Sequence, residues 1–452
     1  MTRAGAEPRR VAYEVLRAVS ERDAYANLAL PALLRQRGVT GQDAALATEL
    51  CYGTLRSLGT LDAILAAASS RPLARIQPPV LDALRLGAYQ LLFTRVPAHA
   101  AVSTTVNLVR AERGQRAAGF SNAVLRRVAT EDLSGWLERL APADEVARLA
   151  LAYAHPEWVV RGFADALGVP VGDPELAAAL AADNVRPGVH LVALPGRVER
   201  DELADQVGGE PGRYSPYAVY LPAGDPADLP AIRRRRAGVQ DEGSQLVALA
   251  TATASIDGPD IRWLDLCAGP GGKAALLGAL AAQRGTEVTA VEVSPHRARL
   301  VQQATEDLPV RVLTADGRDV GRRSELPERG FDRVLVDAPC TGLGALRRRP
   351  EVRWRRTPED LESLTDLQRQ LLAAGLRAVR PGGLVGYVTC SPHPAETAGV
   401  VEAVSREYDV EPIDAVAVLP PTLELRGGPT AQLWPHRHGT DAMFLTLLAR
   451  PR

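Results

Sequence analysis

The chain has 452 residues, of which 46% are hydrophobic and 24% charged, and its formal net charge at pH 7 is −1. These values are ordinary for a globular protein and leave room for two or three domains with separate cores. Four widely spaced cysteines without CxxC spacing argue against a disulfide framework or a zinc site, and no apolar run is long enough for a spanning helix. We therefore expect a cytoplasmic protein that uses no metal and no membrane.

The first 140 residues are predicted to form an all-helical domain. Apolar residues recur at helical spacing from Val11 and Val15 onward, and breakers such as Gly38–Gly41 separate the helical stretches. This part contains 18 arginines and 12 acidic residues, a net charge of +6, whereas the rest of the chain carries −7. A basic domain suits a polyanionic partner, although on charge alone solvated helix faces explain the bias better.

Residues 141–236 are predicted to form a small mixed α/β segment. Helical patches at 142–153 and 174–184 are followed by strand-like stretches at 189–194 and 218–224. The segment ends in four adjacent arginines, Arg233–Arg236, which fit a solvated linker as well as a phosphate contact.

From residue 237 to the end, strands and helices alternate, which predicts a parallel, Rossmann-like α/β domain. The predicted strands are 261–267, 287–293, 310–316, 331–338, 384–390 and 443–449. The predicted helices are 273–283, 296–307, 359–379 and 395–407. The domain boundaries that we predict are therefore 1–140, 141–236 and 237–452.

A glycine-rich turn follows the first strand of this last domain. Gly269, Gly271 and Gly272 stand between the strand and a predicted helix, and Lys273, the only lysine of the chain, follows them. Glycines let a backbone approach a ligand, and a helix N-terminus offers free N–H groups. Alone the motif is weak, because a tight turn between strand and helix explains it equally well.

Acidic residues end the next three strands. Glu292, Asp316 and Asp337 would all lie at the edge where open α/β sheets bind ligands. A carboxylate after the second strand suits a ribose diol, in dinucleotide and S-adenosylmethionine sites alike. Three acids in register with the glycine turn therefore favour a nucleotide-type cofactor.

Cys340 and Cys390 follow two neighbouring predicted strands at the same edge. A thiolate that adds to carbon-6 of a pyrimidine makes carbon-5 nucleophilic enough to attack a methyl donor. Asp337 could stabilise that adduct at the ring nitrogen, and a second thiol could assist release. The residues alone leave open which thiol attacks.

Six arginines lie between 347 and 356, with Trp354 among them. Arginine forks bind phosphates and tryptophan stacks on bases, so we expect this segment to contact nucleic acid.

Several motifs together resemble the RsmB-type (Fmu or Sun) ribosomal RNA cytosine methyltransferases. They are LDLCAGPGGK, VEVSPHR, DAPCTGLGALRRRPEVRWRR, YVTCSPHPAET, GVQDEGSQLVA and HPEWVV. The helical N-terminal part, with YEVLRAV and GFSNAVLRRV, resembles the NusB-type RNA-binding domain. The resemblance implies a class I methyltransferase domain, S-adenosyl-L-methionine as cofactor, and a cytosine of 16S ribosomal RNA as target.

The resemblance also implies residue roles. The cofactor loop is formed by Cys267, Ala268, Gly269, Pro270, Gly271, Gly272 and Lys273. Glu292 would hold the ribose, Asp316 the adenine side, and Asp337 would lie beside the methyl donor and the base. Cys390 would be the nucleophile and Cys340 would assist release. Gly269 departs from the alanine that is usual in the family, and we expect little consequence.

Two other functions fit the sequence less well. The chain would be a NusB-like transcription or ribosome-assembly factor if its catalytic domain were degenerate, but the acids, Lys273 and both cysteines are intact. A dinucleotide enzyme is disfavoured by the two turn cysteines and by the missing GxGxxG. We expect the enzyme to act as a monomer.

Overall fold

A computed structural model describes residues 6–452, with side chains from Glu7 onward. The chain forms two compact units, one containing the residues up to Arg186 together with Leu346–Arg355, and one containing Pro187–Ala345 together with Arg356–Arg452. Among the residues from 6 to 452, no helix is both long and apolar enough to cross a membrane.

The first unit is built from helices, numbered here in chain order. They are α1 Ala6–Arg22, α2 Ala26–Arg37, α3 Gly41–Arg56, α4 Leu58–Ala68, α5 Pro78–Phe93, α6 Ala98–Val128, α7 Leu133–Leu140, α8 Glu145–Tyr153, α9 Glu157–Leu167, α10 Pro174–Ala182 and the single turn α16 Val352–Arg355. Apolar residues at helical spacing, such as Val11 and Val15, lie in the core with at most 1% exposure. α6 bends at Gly114, whose φ is +80°. The prediction of an all-helical N-terminal domain is confirmed.

A small antiparallel sheet opens the second unit. Its elements are β1 Val189–Ala193, α11 Arg200–Val207, β2 Glu210–Pro211, β3 Ala218–Leu221, α12 Pro230–Arg233 and β4 Ala237–Val239, and the strand order is β2-β3-β1-β4. The arginines before β4 form ion pairs: Arg233 with Asp228, Arg235 with Glu306 and Arg236 with Glu202. These pairs favour the linker interpretation of Arg233–Arg236 over a phosphate contact.

The large sheet of the second unit has eight strands. In chain order the elements are α13 Glu242–Thr253, β5 Arg262–Asp265, α14 Gly272–Arg284, β6 Glu287–Glu292, α15 Pro295–Ala304, β7 Val310–Thr314, β8 Phe331–Asp337, α17 Pro358–Ala378, β9 Val379–Thr389, α18 Ala398–Ser405, β10 Glu411–Ile413, α19 Ala415–Val418, β11 Thr430–Gln432, α20 Pro435–His438 and β12 Phe444–Ala449. The strand order is β10-β12-β9-β8-β5-β6-β7, and β11 pairs with β12. β12 runs antiparallel to β9, whereas the strands from β9 to β7 are parallel.

The strand order places a ligand crevice at the carboxyl end of β5. This strand lies between β6 on one side and β8 on the other. After β5 the chain continues to β6 and β7 on one side, and it then crosses to β8 and β9 on the other side, so the strand order reverses at β5. Open α/β sheets bind their ligands at such a switch point. The central strands are apolar runs because helices cover both faces, which is why they were recognisable in the sequence. The predicted Rossmann-like class is confirmed.

The division between the compact units lies inside the predicted segment 141–236. The helices up to α10 belong to the first unit, and the strands from β1 onward belong to the second. The three-domain boundaries stay a prediction.

Candidate active site

The seven residues that were predicted to hold the cofactor, Cys267–Lys273, span the turn after β5 and the first two residues of α14. The Gly269–Pro270 peptide bond in this turn is cis. The N–H of Ala268 donates to the carbonyl of Val291 at 2.8 Å, which fixes the loop to β6. The loop thereby brings the N-terminus of α14, whose first N–H groups have no partner within the helix, to the end of β5.

Two glycines of the loop are constrained differently. Gly271 has a φ of +112°, and a Cβ there would lie 2.9 Å from Ala304 Cβ and 3.0 Å from Val301 Cα, so glycine is required. A Cβ at Gly269 would overlap the carboxylate of Glu292, which is the far end of a flexible side chain. The alanine that is usual in the family thus fits if Glu292 turns aside.

Glu292 and Asp316 lie at the predicted edge: Glu292 is the last residue of β6, and Asp316 follows the carboxyl end of β7. Glu292 accepts hydrogen bonds from the Gly269 N–H at 3.1 Å and from Arg297 Nη2 at 2.8 Å. Asp316 accepts from Arg318 Nη2 at 2.6 Å, and this hydrogen bond holds the pKa of Asp316 below its ordinary value. Each acid therefore contacts an arginine close to it in the chain, and the ribose and adenine roles stay predictions.

Asp337 and Lys273 form an ion pair at the edge of the sheet. Asp337 Oδ2, at the end of β8, lies 2.8 Å from Lys273 Nζ in the first turn of α14. Burial by itself lowers the pKa of Lys273, but attraction to Asp337, Cys390 and Asp265 outweighs it, and the pKa is raised. Lys273 is therefore a charged ammonium that is paired with the acid of β8.

Asp265, the last residue of β5, is an acid that the sequence analysis missed. Its side chain is only 1% exposed, Oδ1 accepts from the Cys267 N–H at 3.4 Å, and Oδ2 has no hydrogen-bond partner among the described residues. Burial raises the pKa of Asp265 to about 7, repulsion from Asp337 adds to the shift, and Lys273 opposes it. Its place at a strand end was the signal that could have identified it.

The residues around the loop fit S-adenosylmethionine. The buried, unpaired oxygen of Asp265 lies beside the loop, and carboxylates end each of the neighbouring strands. This cofactor carries a sulfonium and an ammonium group, which carboxylates attract, and a ribose whose hydroxyls can donate to them.

We expect Asp265→Asn to raise the melting temperature more at pH 8 than at pH 5. The folded chain binds a proton at Asp265 up to about pH 7, whereas the unfolded chain releases it near the ordinary value of 3.8. The free energy of unfolding therefore falls as the pH rises through that window, and the asparagine removes this loss. Thermal denaturation of the variant and the wild type at both pH values measures the two shifts in melting temperature. Each kcal/mol of unfolding free energy corresponds to a shift of roughly 2–4 °C.

The matched control is Asp409→Asn, which changes an exposed aspartate in the same unit. A gain for Asp265→Asn that is equal at the two pH values would contradict the raised pKa.

Cys340 and Cys390 are in van der Waals contact. They follow the adjacent strands β8 and β9, and their Sγ atoms lie 3.3 Å apart although 50 residues separate them in the chain. Both are free thiols. The hydrogen bond with Cys390, reinforced by burial, raises the pKa of Cys340 well above its ordinary value. The structure thus brings the predicted catalytic residues Cys340, Cys390 and Asp337 to one edge of the sheet, with Lys273 paired to the acid.

The arginine-rich segment 346–355 lies within the helical unit. Arg353 is fully buried, and its guanidinium donates to the carbonyls of Arg56 at 3.5 Å, Ala154 at 3.1 Å and Asp183 at 3.3 Å. These carbonyls lie at the C-termini of α3, α8 and α10, where the helix dipole is negative. The nucleic-acid contact predicted for this segment is therefore wrong for Arg353, because its side chain is fully buried and its two terminal nitrogens donate to helix ends.

We expect Arg353→Met to destabilise the helical unit by about 3 kcal/mol, because three buried carbonyls lose their donor. Urea denaturation followed by circular dichroism measures the change. The matched control is Arg349→Met, which changes an exposed arginine of the same segment. It should change the free energy of unfolding by less than about 0.5 kcal/mol. Equal midpoints for the two variants would show that the buried guanidinium is dispensable.

Comparison with known proteins gives relatives over the full length. A Mycobacterium tuberculosis protein named only as a methyltransferase is 57% identical over 446 residues, 98% of this chain and 96% of its own. The ribosomal RNA small subunit methyltransferase B of Escherichia coli O6:K15:H31 is 32% identical, covering 89% of this chain and 91% of its own. The crystal structure of PH0851 matches with a TM-score of 0.82 at 21% identity, over 98% of this chain and 99% of that one, and so shares the fold.

The sheet order, the glycine loop and the acids at the strand ends define a Rossmann-like methyltransferase that uses S-adenosylmethionine. The NusB family matches residues 6–130, and the family described as 16S rRNA methyltransferase RsmB/F matches residues 256–449. The chain belongs to this RsmB/F family of rRNA methyltransferases. The predicted family, fold class and cofactor are confirmed.

Proposed function

We propose that this chain methylates carbon-5 of a cytosine in RNA, and that its substrate is small-subunit ribosomal RNA. The observation that carries the proposal is the pair of thiols, with Sγ atoms 3.3 Å apart, beside the Lys273–Asp337 ion pair. The name of the E. coli relative states the RNA on which that protein acts, and this supports the choice of substrate.

The cofactor site follows from the loop and the acids. When bound, S-adenosylmethionine supplies an electrophilic methyl group. The loop Cys267–Lys273 would hold it, with Glu292 at the ribose hydroxyls and Asp316 at the adenine side. The unpaired oxygen of Asp265 would accept a hydrogen bond from the cofactor.

The two thiols act in sequence on the pyrimidine ring. The Cys390 thiolate forms a bond with carbon-6, and Asp337 stabilises the electron pair that moves to the ring nitrogen. Carbon-5 would then attack the methyl group, whose bond to the sulfonium sulfur would break, so that the cofactor would leave as S-adenosylhomocysteine. With the assistance of Cys340 the carbon-5 proton passes to solvent, the electron pair of its C–H bond restores the ring double bond, and the bond to Cys390 breaks, which frees the Cys390 thiolate.

The charges around the thiols support this assignment of roles. The Lys273 ammonium attracts the Cys390 thiolate, since Cys390 is one of the groups that raise the pKa of Lys273. Cys340 instead lies near the Glu396 carboxylate, which raises the pKa of Cys340 further. A neutral thiol is therefore favoured at Cys340, which disfavours Cys340 as the attacking nucleophile.

The NusB-like domain and the catalytic edge each have features that suit an RNA partner. The basic N-terminal part, with its net charge of +6, suits RNA, and the target base would be flipped out of its stack to reach Cys390. The proposal places a monomeric enzyme in the cytoplasm, where the ribosomal RNA is. A NusB-like factor without activity is disfavoured because the site residues are intact.

Bisulfite sequencing of ribosomal RNA tests the proposal. A cytosine of the small-subunit RNA should read as methylated in cells with the gene and as unmethylated after its deletion, and the wild-type gene should restore it. Isothermal titration should show saturable binding of S-adenosylhomocysteine and none of a nicotinamide dinucleotide. An unchanged cytosine pattern after deletion would overturn the assigned reaction.

A further inference from the structure

A buried carboxylate joins the turns that carry the two cysteines. Glu396 is fully buried, in the short turn after Cys390. One of its oxygens accepts from the Thr341 N–H at 2.7 Å and from Gln368 Nε2 at 3.0 Å, and the other accepts from Thr341 Oγ1 at 2.5 Å. Three donors therefore converge on one carboxylate, although 55 residues separate Glu396 from Thr341.

The residues in this network are the chain neighbours of the thiols. Thr341 directly follows Cys340, and its Oγ1 lies 3.1 Å from the Oγ of Ser391, which directly follows Cys390. Gln368 Nε2 also donates to the carbonyl of Pro339 at 2.9 Å, so the residues on both sides of Cys340 are held.

A buried anion makes such a network stiff. An ionised carboxylate without hydrogen-bond donors costs several kcal/mol in a protein interior, so each donor that moves away is penalised. The turns around Cys340 and Cys390 are therefore confined to the arrangement in which all three donors reach Glu396. Main-chain pairing adds to this, because the Gly344 N–H donates to the Cys390 carbonyl at 2.8 Å.

We propose that Glu396 is a positioning residue for methyl transfer: it holds the Cys340 turn against the Cys390 turn, so that both thiols reach one pyrimidine ring. The inference rests on the proposed function, because it assigns the spacing of the thiols to the cytosine reaction. In this network Glu396 acts through Thr341 and Gln368.

The first test is Glu396→Gln in the full-length enzyme. The amide places an NH2 group where the carboxylate accepted hydrogen bonds, so at least one of the three donors loses its acceptor. We expect kcat to fall by about 10–100-fold, as for small misplacements of reacting groups, while the affinity for S-adenosylhomocysteine stays within about twofold. Glu402→Gln, an exposed glutamate on α18, is the matched control and should change neither value.

A cross-linking rate measures the thiol spacing without any methyl transfer. Diamide takes up the two electrons and two protons that a pair of thiols releases as it forms a disulfide. The wild-type chain should form the Cys340–Cys390 disulfide rapidly, detected by mass spectrometry of peptides, and Glu396→Gln should form it about tenfold more slowly. Glu402→Gln should match the wild type.

The two measurements separate the two proposals. A slower cross-link in Glu396→Gln combined with a wild-type enzyme that does not methylate cytosine overturns the proposed function and leaves the spacing role standing. An unchanged cross-linking rate in Glu396→Gln overturns the positioning role, whatever happens to turnover. Unchanged turnover in Glu396→Gln, even with a slower cross-link, also overturns the positioning role.

Thr341→Val keeps the test decisive if Glu396→Gln does not fold. It removes only the Oγ1 donor and retains the branched shape and the N–H bond to Glu396. The turnover rate and the cross-linking rate of Thr341→Val should both be about threefold to tenfold lower than those of the wild type. Wild-type values for both in a folded Thr341→Val protein would overturn the inference.

Discussion

Cys340→Ala is expected to accumulate a covalent protein–RNA species, whereas Cys390→Ala is expected to form none and to lose turnover. Without Cys390 no bond to carbon-6 can form, so the rate should fall by at least about 10⁴-fold, towards the uncatalysed level. Without Cys340 the bond still forms, but its release is impaired. Denaturing gel electrophoresis of the enzyme with labelled substrate RNA and S-adenosylmethionine measures the adduct.

The matched control is Cys51→Ala. Cys51 is a buried thiol in the core of the helical unit, so this variant removes a sulfur without touching the site. It should retain turnover and show no adduct beyond that of the wild type. An adduct in Cys390→Ala that is absent in Cys340→Ala would reverse the roles of the two cysteines.

Lys273→Met is expected to lower kcat by about 100-fold or more. The substitution leaves Asp337 without its cation, which lies 2.8 Å away, and removes the ammonium that attracts the Cys390 thiolate. Breaking a partly buried ion pair on one side costs about 3–5 kcal/mol, because the remaining charge is left without compensation. Steady-state kinetics with substrate RNA, together with the adduct assay, measures the effect.

Lys273→Arg separates charge from shape. The guanidinium keeps the positive charge, but it is a broad planar fork, whereas a compact ammonium lies beside Asp337 in the wild type. We expect this variant to fold and to remain at least about tenfold slower than the wild type. Full activity in Lys273→Arg would show that charge alone is needed there.

The catalytic half of the fold was predictable because its signals are local. The central strands of a parallel sheet are buried on both faces, so they read as short apolar runs such as that ending in Asp337. Ligand-facing groups of such a sheet follow the carboxyl ends of its strands, which is why Glu292, Asp316, Cys340 and Cys390 could be placed at one edge before the fold was described. Asp265 obeys the same rule and was overlooked.

The arginine-rich segment shows where local signals mislead. Six arginines around Trp354 have the composition of a nucleic-acid surface, and composition does not report burial. Arg353 donates to groups 169 to 297 residues away in the chain, at the ends of helices whose positions are set only by packing. A buried guanidinium paired with helix ends and an exposed one facing phosphate are therefore identical in sequence.

The sequence by itself determined the class of the fold, the strand-end positions of the catalytic groups and the motifs of the RsmB/F family, because each depends on residues close together in the chain. Only the tertiary structure decided that Cys340 and Cys390 have Sγ atoms 3.3 Å apart, that Lys273 is paired with Asp337, and that Glu396 ties the two turns together. The two residues of each of these contacts are 50 to 64 positions apart in the chain. Contacts over such separations follow from strand order and from the packing of loops, which residue patterns within a segment do not record.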